Sequence, residues 1–181
     1  MNKISIVFPI YNEENRIGKL LKRLKNLKKK KYYNIFEFIF VDDGSTDQTI
    51  KKIKDFFFKN KRKSYRYKII KSKKNFGKGH ALKLGVKAAK YNWIITMDVD
   101  LSVELYQIDK WKKKYFFKND YAYFGSRNIS KSAVKYKYHR KIIGMIWQMI
   151  FSLCVDSKIK DTQCGFKLYN KKYIKKIFNS L

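Results

Sequence analysis

The chain has 181 residues, of which 45% are hydrophobic and 17% aromatic, with a single proline. That is long enough to bury a core and too apolar for a disordered protein. Its formal net charge is +30, which excludes a surface built for basic partners and favours anionic lipid, phosphate or nucleic acid.

Ile4-Ser5-Ile6-Val7-Phe8 has the pattern of a short buried strand, ended by Pro9. The apolar run to Ile10 is short, has no small-residue cleavage site and leads into Asn12-Glu13-Glu14, so no signal peptide is expected. Asn12 is the expected N-cap of a helix, with Glu13 and Glu14 in the first turn, where negative charge suits the dipole. Ile17, Leu20, Leu21, Leu24 and Leu27 keep helical spacing, and Lys28 to Lys31 end it. Ile35 to Val41 is a second strand. Ser45-x-x-Gln48 reads as a capping box opening a helix through Ile50, Ile53 and Phe57. Tyr65 to Ile70 is a third strand, and Gly77 to Lys90 a third helix with Ala81, Leu84 and Ala88 on one face. Trp93 to Met97 is a fourth strand, Ser102 opens a helix through Leu105, Ile108 and Trp111, and Tyr121 to Phe124 is a fifth strand.

From Ile142 to Val155 only Gly144, Gln148 and Ser152 are small or polar, four apart, forming one narrow helical stripe. This stretch reads either as a buried core helix or as a helix lying in a membrane interface, flanked by Arg140, Lys141, Lys158 and Lys160. No run reaches the roughly 18 apolar residues of a membrane span. Cys154 and Cys164 form neither a metal-ligand spacing nor a disulfide framework, which fits a reducing compartment. Lys171 to Leu181 is a short basic helix.

Strands alternating with helices imply right-handed βαβ units and a mostly parallel sheet, an α/β fold. In such sheets ligands bind beyond the carboxyl ends of the strands. Four polar clusters fall there: Pro9 to Glu13, Asp42-Asp43, Asn75 to Gly79, and Asp98 with Asp100. The last two carboxylates are spaced i, i+2, so in extended backbone they point to one side. They read either as turn aspartates or as a pair aimed at one Mg²⁺ or Mn²⁺, with substrate phosphates completing the shell. Asp42 or Asp43 can accept a hydrogen bond from a base N–H or a ribose hydroxyl. The glycines of Asn75-Phe76-Gly77-Lys78-Gly79 let backbone approach a phosphate, with Lys78 balancing its charge. P-loop spacing is missing, so that class of ATPase is not expected.

Pro9-Ile10-Tyr11-Asn12-Glu13-Glu14, Val41-Asp42-Asp43-Gly44-Ser45-Thr46-Asp47, Asn75-x-Gly77-Lys78-Gly79-x-Ala81, Asp98-x-Asp100 and Gly125-Ser126-Arg127 occur in an order that resembles family 2 glycosyltransferases with the GT-A fold. Asp161-Thr162-Gln163-Cys164-Gly165-Phe166-Lys167-Leu168 is similar to the matching segment of dolichyl-phosphate β-glucosyltransferases, and less like that of dolichyl-phosphate mannose synthases. The resemblance covers nearly the whole chain. It implies a GT-A (Rossmann-like) catalytic domain over 1–181, a mostly parallel sheet flanked by helices, with the apolar helix near 139–155 at the membrane. Relatives often continue further, and this chain stops soon after Lys171, so it is expected to be either a minimal form or a C-terminally truncated one.

The implied reaction is inverting transfer of a sugar, first choice glucose from UDP-glucose, onto a polyprenyl or dolichyl phosphate. The expected location is the cytoplasmic side of a membrane, as a peripheral protein. By the same resemblance Pro9, Tyr11, Asn12, Glu13, Asp42, Asp43, Asn75, Gly77, Lys78 and Asp98 bind the nucleotide sugar. Asp98 and Asp100 hold Mg²⁺ or Mn²⁺, Arg127 and Arg140 grip the acceptor phosphate, and Asp100, Arg127 and Asp161 serve catalysis. An acceptor phosphate, with a second pKa near 6, is largely a nucleophile already. Asp161 is therefore open to other roles: orienting a sugar hydroxyl or Arg127, or capping the turn before Phe166. Ser102 stands where some mannose synthases place a third metal-side ligand. His80 and His139 are expected to be structural, and Cys164 to be packing. Two alternatives remain: a hydroxyl acceptor in polysaccharide or glycolipid synthesis, and a basic nucleic-acid-binding protein. Lysines spread along the whole chain, alongside Asn, Ile, Phe and Tyr with their A/T-rich codons, speak against a dedicated nucleic-acid patch, so no nucleic-acid partner is expected.

Overall fold

A computed structural model describes residues 3–27, 36–60, 66–103, 107–108, 110–111, 122–125 and 164–179. In chain order the elements are β1 (Ile4–Ile10), α1 (Glu14–Leu27), β2 (Phe36–Asp42), α2 (Thr49–Lys59), β3 (Tyr67–Lys71), α3 (Lys78–Ala88), β4 (Trp93–Thr96), β5 (Tyr123–Phe124), β6 (Lys167–Asn170) and α4 (Lys171–Asn179). Residues 107–108 and 110–111 are also helical. The strands form one sheet in the order β3-β2-β1-β4-β6-β5. The first four are mutually parallel, and β6 runs antiparallel to both of its neighbours. The expected mostly parallel α/β sheet flanked by helices is therefore present.

Side-chain alternation decides which helix lies where. Ile4, Ile6, Phe8 and Ile10 of β1, with Phe36, Phe38 and Phe40 of β2, face the layer holding Ile17, Leu20, Leu21 and Leu24 of α1 and Ile50, Ile53 and Phe57 of α2. Phe8 and Phe40 stack there at 5.2 Å. Val7, Ile39, Val41 and Ile94 face the other way, onto Ala81 and Val86 of α3 and Ile174 of α4. Each large side chain buried this way contributes about 1.5–3 kcal/mol. Ala81, Gly85 and Val86 carry the buried face of α3, whereas Leu84 and Ala88 are half-buried. A Cβ on Gly85 would overlap Cγ1 of Val7, so the missing side chain lets α3 sit directly on β1.

Pro9 does not end β1, which continues to Ile10 with Pro9 opposite Val41 of β2. On its other side β4 has already stopped opposite Val7. A missing N–H is tolerated where the sheet has only one neighbour. Strand β6 was not expected from the sequence.

The helix caps differ from the local reading. Asn12 has φ 50° and is not an N-cap. Its side-chain oxygen accepts the Thr46 N–H at 2.9 Å, and its own N–H donates to Ser45 Oγ at 3.0 Å. Ser45 is thus committed elsewhere, α2 starts at Thr49, and Gln48 makes no side-chain cap. The two helix starts are instead laced together. Asp47 accepts the Glu14 N–H at the start of α1 and the Thr49 N–H at the start of α2, both at 3.0 Å. Thr49 Oγ1 accepts the Glu13 N–H at 2.8 Å, and Glu14 accepts the Gln48 N–H at 3.2 Å.

Burial pushes the Asp47 carboxyl up, but the Thr49 hydroxyl and N–H and the Glu14 N–H outweigh it and hold the group below its usual 3.8. Asp47 therefore stabilises fully above the unfolded pKa, and the contribution is lost as pH falls through the lower folded value. Asp47→Ala is expected to remove two caps, about 2 kcal/mol in all, and to lower Tm by roughly 4–8 °C at pH 7. In thermal melts the gap to wild type should close as the pH is lowered toward 3. A gap that persists unchanged there would refute the double cap.

No helix among the described residues is long and apolar enough to cross a membrane. The expected apolar helix from Ile142, and His139, Arg127, Arg140, Asp161 and Cys154, lie outside the described residues.

Candidate functional site

Because β1, β2 and β4 are parallel and in register, their carboxyl ends deliver three loops to one place. Ile10 lies opposite Asp42, and Val7 opposite Thr96. The loop entering α3 closes the fourth side. Together they form a cavity of about 380 Å³ lined by Pro9, Ile10, Tyr11, Glu13, Arg16, Asp43, Asn75, Gly77, Lys78, Ala81, Asp98, Val99 and Asp100. Eight of the residues expected to bind a nucleotide sugar (Pro9, Tyr11, Glu13, Asp43, Asn75, Gly77, Lys78 and Asp98) thus share one cavity with Asp100.

Asn12 and Asp42 do not line it. Asn12 is engaged with Ser45 and Thr46, as above. Asp42 is fully buried; its Oδ1 accepts the Ser45 N–H at 3.0 Å, and Oδ2 has no hydrogen-bond partner among the described residues. Both shape the turn behind the wall.

Asp43 is 3% exposed and holds the neighbouring loop through its carboxylate. It accepts the Phe76 N–H at 3.1 Å and the Gly77 N–H at 2.6 Å. Asn75 Oδ1 also accepts the Gly77 N–H, at 2.9 Å. Gly44, at φ 82°, lets the two loops touch: a Cβ there would lie 2.7 Å from the Lys74 carbonyl carbon. The backbone needs a glycine at that angle, and the contact leaves no room for a side chain. His80 lies 4.0 Å from Asp43 and packs its ring on Phe76.

The cavity mixes carboxylates with cations. Lys78 Nζ is 2.6 Å from Asp98 Oδ1, with both side chains well exposed (56% and 37%). Arg16 Nε is 2.6 Å from Glu13 Oε2, close enough for an ion pair, although the N–H is not aligned on that oxygen as a hydrogen bond. Burial, reinforced by the charges of Asp100 and Asp98, holds the Glu13 carboxyl above its usual range against the pull of Arg16. Arg16, absent from the expected site, carries a weak sequence signal: it stands i+3 from Glu13 in the first turn of α1.

Asp100 Oδ1 accepts the Ser102 N–H at 2.9 Å. Among the described residues no three His, Cys, Asp or Glu side chains group into a metal-ligand set. β4 stops at Thr96 and Val99-Asp100 form a turn, so the extended i, i+2 geometry expected for the pair is not present, but Asp98 and Asp100 both line the cavity as hard oxygen donors. That donor set suits Mg²⁺ or Mn²⁺, which take few protein ligands and fill the remainder from phosphate and water. Gly165 lies behind this wall of the cavity, against Asp98. Its carbonyl accepts the Thr96 hydroxyl at 3.3 Å, and its Cα faces the Asp98 carboxylate.

The family profile described as glycosyl transferase family 2 matches residues 5–178. The chain is 33% identical to a dolichyl-phosphate beta-glucosyltransferase of Dictyostelium discoideum, over 98% of this chain and 57% of that protein. It therefore spans a little over half the length of that relative. S. aureus TarS (residues 1–349) in complex with UDP aligns with a TM-score of 0.51 and 27% identity, over 63% of this chain and 33% of that one. Glucosyl-3-phosphoglycerate synthase from Mycobacterium tuberculosis, in complex with UDP, aligns with a TM-score of 0.62 over 94% of this chain and 57% of that one. At 15% identity this last likeness is one of fold.

Proposed function

We propose, from the premise that this chain belongs to glycosyl transferase family 2, that it is a nucleotide-sugar glycosyltransferase acting on a polyprenyl phosphate at a membrane surface. The fold is of the GT-A type. One observation carries the reading: Tyr11, Glu13 and Asp43, the Gly77-Lys78 entry to α3, and Asp98 with Asp100 line a single cavity.

In this reading Pro9 and Tyr11 pack the base, with Tyr11 offering a ring that is 46% exposed. Asp43 and Glu13 take donors from the base and ribose. The start of α3 and Lys78 receive the diphosphate, as backbone N–H groups at a helix N-terminus favour anions. Asp98 and Asp100 would hold Mg²⁺ or Mn²⁺, which neutralises the charge of the departing nucleoside diphosphate. Arg127 and Arg140 clamp the acceptor phosphate, a task suited to the guanidinium fork. A phosphate oxygen then forms a bond to the anomeric carbon as the bond to the diphosphate oxygen breaks on the opposite face, so the configuration inverts. The attacking oxygen is already deprotonated near neutral pH. Asp161 accordingly orients a sugar hydroxyl or Arg127 and need not act as a base.

UDP-glucose is the first-choice donor. The relative's name and the UDP held by TarS support this choice. The test is a panel of nucleotide sugars with polyprenyl phosphate, with and without Mn²⁺ or Mg²⁺. Metal-dependent glucosyl transfer from UDP-glucose is expected. Absence of transfer from every donor, with metal and lipid present, would refute the proposal. Asp161→Asn is expected to keep measurable turnover. Complete loss would instead indicate a hydroxyl acceptor that needs a base.

A further inference from the structure

Gly165 lies between two buried side chains, Cys164 at 3% and Phe166 at 2% exposure. Its carbonyl accepts the Thr96 hydroxyl, and the Phe166 carbonyl accepts the Gly125 N–H at 2.9 Å. Main chain at 164–166 is thereby clamped between the end of β4 and β5. A Cβ built on Gly165 would overlap Asp98 Oδ2 and lie 2.7 Å from Cγ of the same carboxylate. The need for glycine here is not conformational, since among the described residues the glycines at positive φ are Gly44 and Gly77. What Gly165 supplies is room.

We infer that Gly165 is a positioning residue for Asp98: its bare Cα is the wall against which the carboxylate is set, while the Lys78 ammonium sits 2.6 Å from the other oxygen. The inference rests on the reading that Asp98 holds the donor's cation. Add a methyl group at 165 and one side must yield. The main chain is held by two buried neighbours and two hydrogen bonds. Asp98, at 37% side-chain exposure, is the looser partner. The carboxylate therefore turns away from the place it now holds between Gly165 and Lys78 at the cavity. Alanine is expected to damage metal binding more than folding.

The test compares wild type, Gly165→Ala, Gly125→Ala and Asp98→Asn. Mn²⁺ affinity is read in the presence of UDP from the spin-resonance signal of free Mn²⁺, and Tm from thermal melting. Gly125→Ala is the control: its Cβ would crowd the same segment, 2.9 Å from Cys164 Sγ and from the Phe166 carbonyl oxygen, away from Asp98. Gly165→Ala is expected to weaken Mn²⁺ binding by about 10- to 100-fold, the usual effect of disturbing a residue behind a metal ligand. Gly125→Ala should lower Tm and leave Mn²⁺ affinity unchanged. Wild-type Mn²⁺ affinity in Gly165→Ala, with Asp98→Asn impaired, overturns this inference alone. If Asp98→Asn binds as wild type does, or wild type itself binds no Mn²⁺ with UDP, the assignment of Asp98 fails instead. Should Gly165→Ala not fold, the double variant Gly165→Ala/Asp98→Ala decides. Recovery of the Asp98→Ala Tm identifies the carboxylate as the obstacle, and failure to recover overturns the inference.

Discussion

Asp98→Asn and Asp100→Asn are each expected to lower kcat/KM for sugar transfer about a thousandfold or more, since the charge stabilisation a divalent cation gives a leaving group is worth several kcal/mol. Asparagine preserves shape and keeps an acceptor for the Ser102 N–H that now bonds Asp100. What is lost is negative charge. For Asp98 the Lys78 ion pair also goes, but both partners are well exposed, so its contribution to stability is at most about 1 kcal/mol. The expected signature is a large kinetic loss at nearly unchanged Tm, with added Mn²⁺ restoring little. Near wild-type rates in either variant would remove these carboxylates from the reaction.

Asp43→Ala is expected to fail differently. Its carboxylate holds the Phe76 and Gly77 N–H groups and is almost wholly buried. Losing two charge-assisted hydrogen bonds costs about 3–5 kcal/mol, or a Tm lowered by roughly 10 °C. The entry to α3 is then no longer fixed against the turn at Gly44, and the cavity loses the wall from Asn75 to Lys78. Nucleotide affinity should fall together with Tm, in contrast to the Asp98 variant. Asp43→Asn retains one acceptor oxygen and should lie between. Isothermal titration with UDP and thermal melting would separate these cases. An Asp43→Ala protein with wild-type Tm would show that the loop is held by other means.

The parallel half of the sheet was legible in the sequence because its signals are local. Runs such as Phe36 to Val41 bury every residue, and the spacing of Ile17, Leu20, Leu21 and Leu24 marks one helix face. What failed to show was set by distant partners. β6 contains Lys167, Leu168, Tyr169 and Asn170, of which only Leu168 is buried. It is a strand because β4 and β5 flank it, which no window of sequence around it reveals. Asn12 and Ser45 are good capping residues by type, yet each spends its side chain on the other's loop, 33 or 34 positions away. The site was legible for a related reason. A parallel sheet gathers its strand ends, so polar clusters at those ends meet whatever the packing details. Arg16 went unmarked among the 44 lysines and arginines of the chain. Gly165 stood in a segment that carries the resemblance, but its role did not show, since a sequence does not say what an absent side chain would have struck.

Thr96 of β4 pairs with Lys167 of β6, and β5, which falls between them in sequence, pairs with that same strand. Among the described residues, those lining the cavity all precede position 101. The stretch from there to Gly165 is therefore tied to the sheet at both ends and, in between, through β5. Closing such an excursion costs only about 0.6 kcal/mol more for each doubling of its length. In this architecture the chain between β4 and β6, β5 aside, can change in length on a separate evolutionary clock from the residues that line the cavity.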